Sequence, residues 1–223
     1  MLLRIAILSC ALVVMPAVLH PDLTAAADHA NPAAGSHGDL HIRFTSLRPQ
    51  TPQCLRRGQE FIDALRESLE KYKDYKAAEA AGYSGYYTQS DLPMYHFASK
   101  WRAFKELVRF DPAQPTALLY KKTAGGYELI GAMFYAPGRY SEDKLDERVP
   151  LCLARWHRQV NVCIPPNGAE DSSDPRFGSD GTIATEAQCK QAGGSWNPEI
   201  HGWMTEVYPF ESDPKKIWGY RPG

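Results

Sequence analysis

The chain has 223 residues and a formal net charge of −1, with 25 Lys and Arg against 26 Asp and Glu. This length suits one domain of ordinary size, and 43% hydrophobic and 11% aromatic residues are typical of a folded globular protein. The balanced charge and the lack of Lys/Arg-rich runs argue against nucleic-acid binding.

The N-terminus carries the features of an export signal. Arg4 supplies a positive charge, Ile5 to Val18 form an apolar run, and Ala25 to Ala27 provide small residues before a cleavage site. The apolar run is too short for a comfortable membrane span, and no later segment is long and apolar enough to form one. We therefore expect residues 1–27 to be a cleaved signal peptide and the mature protein to be soluble, either periplasmic or secreted. An uncleaved anchor is the alternative.

Residues 28–53 are rich in Pro, Gly and Ala and show little apolar periodicity, which predicts a flexible lead-in. This segment contains His29, His37 and His41, which we interpret as solvated side chains rather than metal ligands. The folded domain is then expected to span residues 54–223.

This domain is predicted to be α+β. Apolar residues at helical spacing predict a long amphipathic helix over residues 54–81, and residues 101–110 predict a short one. Apolar runs at 116–121 and 127–136, joined by a glycine-containing connection, predict a β-hairpin. Further strands are expected near 151–164 and 199–210. We therefore predict an antiparallel sheet with the one long N-terminal helix packed on it.

Four cysteines follow the predicted cleavage site, namely Cys54, Cys152, Cys163 and Cys189. In an oxidising compartment, an even number of cysteines is typical of disulfides. Cys163 ends the central strand and Cys189 lies on a short predicted helix after the next loop, so we predict that these two pair. Cys54 and Cys152 could form a second disulfide.

The central strand, residues 155–163, carries the first indication of a site. Strand alternation places four polar or ligand-type side chains on one face: His157, Gln159, Asn161 and Cys163. Burying such a face without partners would be costly. This face is therefore either solvated or the floor of a polar site, and we favour the site.

Other histidines and a carboxylate in the chain indicate that this site is a metal site. Two histidines and a carboxylate are a recurring ligand set for Zn, Fe or Cu that leaves a position open for water or substrate. His96 and Glu206 both lie in otherwise apolar segments. We predict that His96, His157 and Glu206 converge on one transition-metal ion, with His201 or Gln159 as a fourth neighbour. Alternation separates His201 from Glu206 unless a bulge intervenes.

The alternative is a non-catalytic envelope binding or interaction domain whose polar cluster is structural. Each histidine would then make an ordinary hydrogen bond, and Glu206 a salt bridge to Arg155 or Arg158. The sequence has no G-x-S-x-G elbow, no H-E-x-x-H and no phosphate-binding glycine loop, so no familiar hydrolase and no nucleotide cofactor is predicted. The expected partner is a metal ion or a small molecule, and whether the protein is an enzyme stays open.

Six short segments carry a family resemblance: Tyr95-His96-Phe97, Pro115 to Tyr120, Leu129 to Met133, Trp156-His157, Asn161-x-Cys163 and Gly202-Trp203-Met204. Through them, residues 90–211 resemble a family of uncharacterised exported bacterial proteins. In that family the central strand reads Trp-His-x-His and the last one Trp-Met-x-His, whereas this chain has Gln159 and Glu206 at the second positions. The resemblance implies a ligand role for His96 and His157, and it implies no reaction.

The export signal gives the first testable prediction. When the full chain is expressed in a bacterium with a periplasm, the mature protein should begin near Asp28, because the small residues at 25–27 precede the expected cut. N-terminal mass spectrometry of the envelope fraction measures this directly. Detection of intact Met1 there would contradict it.

Overall fold

The computed structural model describes residues 40–86, 92–168 and 174–219. Its strands are β1 (Ile42–Phe44), β2 (Ser84–Gly85), β3 (Tyr95–Ala98), β4 (Ala117–Thr123), β5 (Gly126–Ala136), β6 (His157–Ile164) and β7 (Ser195–Val207). They form one sheet in the order β1-β6-β7-β5-β4-β3-β2, and every pairing is antiparallel. The predicted signal peptide lies outside the described residues, as do His29 and His37.

The helices are α1 (Pro52–Leu69), α2 (Tyr75–Ala80), α3 (Lys100–Val108), α4 (Glu142–Asp146) and α5 (Glu186–Gln191). Two short 3₁₀ helices, Glu70–Lys73 and Pro214–Lys216, complete the described part. Together with the antiparallel sheet, these helices confirm the predicted α+β class. None of the described helices is long and apolar enough to cross a membrane.

Helix α1 packs on one face of the sheet and forms the main core with it. Its N-terminus is fixed by Thr51, whose side chain accepts a hydrogen bond from the Cys54 N–H, and Pro52 occupies the first turn. The Phe61 ring lies 5.3 Å from that of Phe134 on β5, in an edge-to-face contact. The long N-terminal helix on the sheet is thus confirmed.

The helical segment is less continuous than residues 54–81 predict. After α1 and the 3₁₀ turn, Asp74 takes an extended conformation and its side chain accepts a hydrogen bond from the Lys76 N–H, which starts α2. A side chain that caps a new helix also interrupts the old one, because it competes for the backbone donors. The alanines at 77–80 therefore belong to a separate short helix.

The hairpin is confirmed. Thr123 at the end of β4 pairs with Gly126 at the start of β5, so the connection is the two residues Ala124-Gly125. Short glycine-containing connections of this kind join adjacent antiparallel strands.

The described part of the lead-in is more ordered than its composition predicts. Ile42 and Phe44 pair with Gln159 and His157 on β6, so β1 forms an edge of the sheet. His41 is fully buried, and its ring nitrogens lie 3.0 Å and 2.9 Å from the carbonyl oxygens of Asn161 and Gly181. A three-residue strand is too short to show the two-residue alternation of a β-strand. The prediction of a flexible lead-in therefore rested on composition.

Both disulfides form. Cys163 bonds to Cys189, as predicted, and Cys54 bonds to Cys152. The first joins the end of β6 to α5, and the second joins the start of α1 to the turn before β6. Disulfides persist in oxidising surroundings, and two of them in one chain are typical of proteins from such a compartment.

The two disulfides should differ in their contributions to stability. In the chain-entropy model, the 98-residue separation of Cys54 and Cys152 gives about 4.7 kcal/mol and the 26-residue separation of Cys163 and Cys189 about 3.5 kcal/mol. Urea unfolding of the double alanine variants measures the losses. The Cys54→Ala/Cys152→Ala protein should lose more stability, and the reverse order would contradict the model.

Candidate functional site

The predicted ligands lie on the second face of the sheet, opposite α1. Residues directly opposite each other on paired strands share a face, as do next-but-one residues along a strand. These relations connect β3 to β6 through one row of side chains: His96, Leu119, Gly131, Met133, Glu206, Met204 and His157. His96, Glu206 and His157 therefore share one face.

The centre of this face is a buried histidine–carboxylate contact. His157 Nδ1 lies 3.6 Å from Glu206 Oε2, and both side chains are almost completely buried. Glu206 Oε2 has no hydrogen-bond partner among the described residues. A buried carboxylate oxygen without such a partner is costly, so this pair is where the sheet departs most from ordinary core chemistry.

The surroundings of the pair are apolar. Glu206 lies opposite Met133 and next to a small cluster of buried residues formed by Met94, Leu119 and Tyr208. Burial there raises the pKa of Glu206 to about 8 from its ordinary value of 4.5. Burial also lowers the pKa of His157 to about 4, with a smaller contribution from the charge of His96. At pH 7 the pair is a neutral carboxylic acid beside a neutral imidazole.

His96 belongs to the same neighbourhood. Four strand spacings, about 19 Å in a flat sheet, separate β3 from β6, yet the charge of His96 lowers the pKa of His157. An interaction between these charges places the two histidines closer together than a flat sheet allows, which indicates that the sheet curls with its second face concave. His96 is partly buried, and its own pKa is lowered by burial.

His201 takes a different position. Between Ile200, opposite Gln159, and Met204, opposite His157, the pairing of β7 with β6 shifts, and His201 has a left-handed backbone conformation with φ of 60°. An irregularity of the kind that could bring His201 and Glu206 to one face is thus present. However, the His201 side chain is exposed, whereas Glu206 is buried, so the structure does not bring these two together.

A glycine is required at this shift. A Cβ atom on Gly202 would lie 2.2 Å from the carbonyl oxygen of Ala136 on β5. The close approach lets β7 leave its register with β6 and continue along β5, which carries Trp203 to the main core and Glu206 to the concave face.

If the polar cluster were structural, Glu206 would be expected to form a salt bridge to Arg155 or Arg158, and the structure shows a different pairing. Arg158 Nη2 lies 2.9 Å from Glu199, and its guanidinium covers the Trp203 ring at 4.5 Å. Within the described ranges, no ion pair joins Glu206 to Arg155 or Arg158. Gln159 lies beyond the register shift from His157 and is partly buried.

The described residues contain no group of three or more His, Cys, Asp or Glu side chains already close enough to hold a metal ion. His157 and Glu206 are in contact, and His96 would have to move closer to them to complete a set of three ligands.

A second buried carboxyl, that of Glu106 on α3, was missed from the sequence. It accepts hydrogen bonds from the Thr116 hydroxyl and the Tyr135 N–H, and burial raises its pKa to about 7. Arg148 donates to the Glu106 carbonyl oxygen over 2.7 Å. On the predicted helix, Glu106 lies opposite the apolar residues, a position that is ordinarily exposed to solvent. Nothing in the sequence therefore indicated that its side chain is buried.

Comparison with protein-family models, with curated proteins and with solved structures found no match.

The raised pKa of Glu206 gives a stability prediction. Between pH 4.5 and about 8 the folded protein holds a proton that the unfolded chain has lost, so this contribution to stability falls as pH rises. The lowered pKa of His157 acts in the opposite direction, but only between about pH 4 and 6.5. From pH 6.5 to 8, Glu206 should therefore cost up to about 1.4 kcal/mol per pH unit.

Urea unfolding of the wild-type protein and Glu206→Gln isolates this effect. Over pH 6.5 to 8 the wild type should lose about 2 kcal/mol relative to the variant, which carries a neutral side chain of the same shape. Glu106→Gln is the matched control, and its effect should end near pH 7. A constant difference between the wild type and Glu206→Gln would refute the prediction.

Proposed function

We propose that the protein is an exported periplasmic protein that binds a transition-metal ion on the concave face of its sheet, with His157, Glu206 and His96 as ligands. The observation that carries this proposal is the buried contact of 3.6 Å between His157 and Glu206 in apolar surroundings. A cation would give the Glu206 carboxylate an opposite charge where no arginine of the described residues provides one.

The protonation states suit metal binding. His157 is neutral at pH 7, because burial lowers its pKa to about 4, and a neutral imidazole has the lone pair that a metal requires. Glu206 must lose a proton to become a ligand. Histidine and carboxylate ligands together suit Zn, Fe or Cu better than Ca or Mg, which prefer oxygen ligands alone.

The chemistry that such an ion would add is Lewis acidity toward a water or substrate molecule. The chain's own residues would hold the ion in an apolar pocket, and Phe44, whose ring lies 6.0 Å from that of His157, would limit access of water from the β1 side. The substrate class is not defined by these residues, and metal storage or transfer without catalysis fits them equally.

Export is supported by two independent features. The N-terminal pattern of charge, apolar run and small residues matches a signal peptide, and both disulfides favour an oxidising compartment.

A second candidate is a non-catalytic binding domain of the cell envelope. It is favoured by the absence, among the described residues, of three potential ligands already grouped. In this case the neutral Glu206 acid and the His157 imidazole would be structural or would hold a small polar molecule by hydrogen bonds.

Calorimetric titration of the metal-free protein with Zn²⁺ separates the two candidates. The wild type should bind one ion, and His157→Ala should abolish binding, because it removes a ligand from the buried contact. His37→Ala, in the N-terminal segment, is the matched control and should bind like the wild type. Equal binding by both variants would return the argument to the second candidate.

The affinity should also depend on pH in a defined way. Because Glu206 must release its proton, Zn²⁺ affinity should rise about tenfold per pH unit between pH 6.5 and 8 and then level off. Each ion bound at pH 7 should release about one proton to the buffer. Binding without proton release would mean that Glu206 is not a ligand.

A further inference from the structure

The apolar side of α3 faces solvent. Among the described residues, seven large hydrophobic side chains are exposed, and four of them lie on this nine-residue helix: Trp101, Phe104, Leu107 and Val108. Trp101 is 64% exposed, Phe104 57% and Val108 82%. The helix is therefore inverted, since its buried residue is the acidic Glu106.

Two features show that the inversion is built into the fold. The inward side is held by polar contacts, in which Thr116 and Tyr135 donate to the Glu106 carboxyl and Arg148 donates to its backbone carbonyl. On the outward side, the Trp101 and Phe104 rings are stacked with their centres 5.7 Å apart. Apolar side chains so concentrated on one surface mark an interaction site.

The charges around this surface are positive. Helix α3 carries Lys100, Arg102 and Lys105, and Arg109 follows it directly; none of these four forms an ion pair in the described part of the chain. Lys105 and Arg102 instead donate to Gln114. The one acidic residue of the helix points inward, so the exposed side presents cations only.

A cavity of about 470 Å³ adjoins the same helix. Its wall combines the cations Arg102, Lys105 and Arg109 with the apolar Phe104 and Val108, together with Glu106, Asp111 and Gln114. Cations at the rim of an apolar surface are complementary to a layer that has anionic headgroups above acyl chains.

We propose that α3 docks the protein on an anionic lipid surface, with Trp101, Phe104 and Val108 entering the headgroup boundary and Lys100, Lys105 and Arg109 contacting lipid phosphates. Tryptophan favours this boundary, and lysine and arginine extend from it toward the phosphates. The helix is about 14 Å long, which suits shallow insertion better than an extended protein interface. This docking would hold the concave site of the sheet close to a membrane surface.

Co-sedimentation of the mature protein purified from the periplasm with phosphatidylglycerol vesicles tests the proposal. At low salt the wild type should sediment with these vesicles and remain in solution with phosphatidylcholine vesicles. Trp101→Ser/Phe104→Ser should lower the partition coefficient roughly 100-fold, and Lys100→Ala/Arg109→Ala should lower it about tenfold. The matched controls, Leu40→Ser and Lys190→Ala, change exposed residues outside α3 and should bind like the wild type.

Trp101 also provides a direct readout, because it is the one exposed tryptophan of the five in the chain. Binding to phosphatidylglycerol vesicles should shift the fluorescence to shorter wavelength, and Trp101→Phe should keep binding while losing the shift. Failure of the wild type to bind, or equal loss in Leu40→Ser, would overturn the proposal. So would sedimentation equilibrium showing a wild-type dimer that Trp101→Ser/Phe104→Ser converts to a monomer, since the occupant would then be a second copy.

Discussion

The pairing of β6 with β7 is the constraint on which the two faces of the molecule depend. Strand β7 pairs with β6 along its first half and with β5 along its second, and the change occurs at His201 and Gly202. The offset between the two strands changes by two residues there, and an even offset keeps the alternation of side chains along β7. Trp203 and Thr205 therefore enter the core, and Glu206 lies on the concave face beside His157.

Burial of this carboxyl on an apolar face makes the site sensitive to its contents. Without a bound cation, the least costly state of the contact is neutral on both sides, which is why the pKa values of Glu206 and His157 move apart in opposite directions. A divalent ion would reverse this preference for Glu206 and leave that for His157 unchanged. Stability, proton release and metal affinity would then all report on the same group.

The sequence predicts what short-range periodicity encodes. Residue spacing predicts helix α1, and turn chemistry predicts the hairpin of β4 and β5. The Cys163–Cys189 disulfide follows from the positions of the two cysteines and the expected oxidising compartment. The contact between His157 and Glu206 could be anticipated, because ligand-type side chains in apolar strands need partners. Its geometry could not, since it depends on the register of β7 against β6, and His157 and Glu206 are 49 positions apart in the sequence.

Other features are missed for equally physical reasons. The amphipathic spacing of residues in α3 predicts a helix with one apolar side. It does not predict which side of the helix packs against the rest of the protein. Only the buried hydrogen bonds of Glu106 reveal the inversion. Likewise, β1 is too short for a period, and His41 just before it is buried by contacts with Asn161 and Gly181, which are distant in sequence.

We propose that one ion is bound between β3, β6 and β7. Anomalous diffraction from crystals grown with Zn²⁺, recorded on both sides of the zinc absorption edge, tests it most directly. We expect a single anomalous peak at bonding distance, about 2.0–2.2 Å, from His157 and Glu206, with His96 moved close enough to be the third ligand. An anomalous peak only at the exposed His201, or none on the concave face, would contradict it.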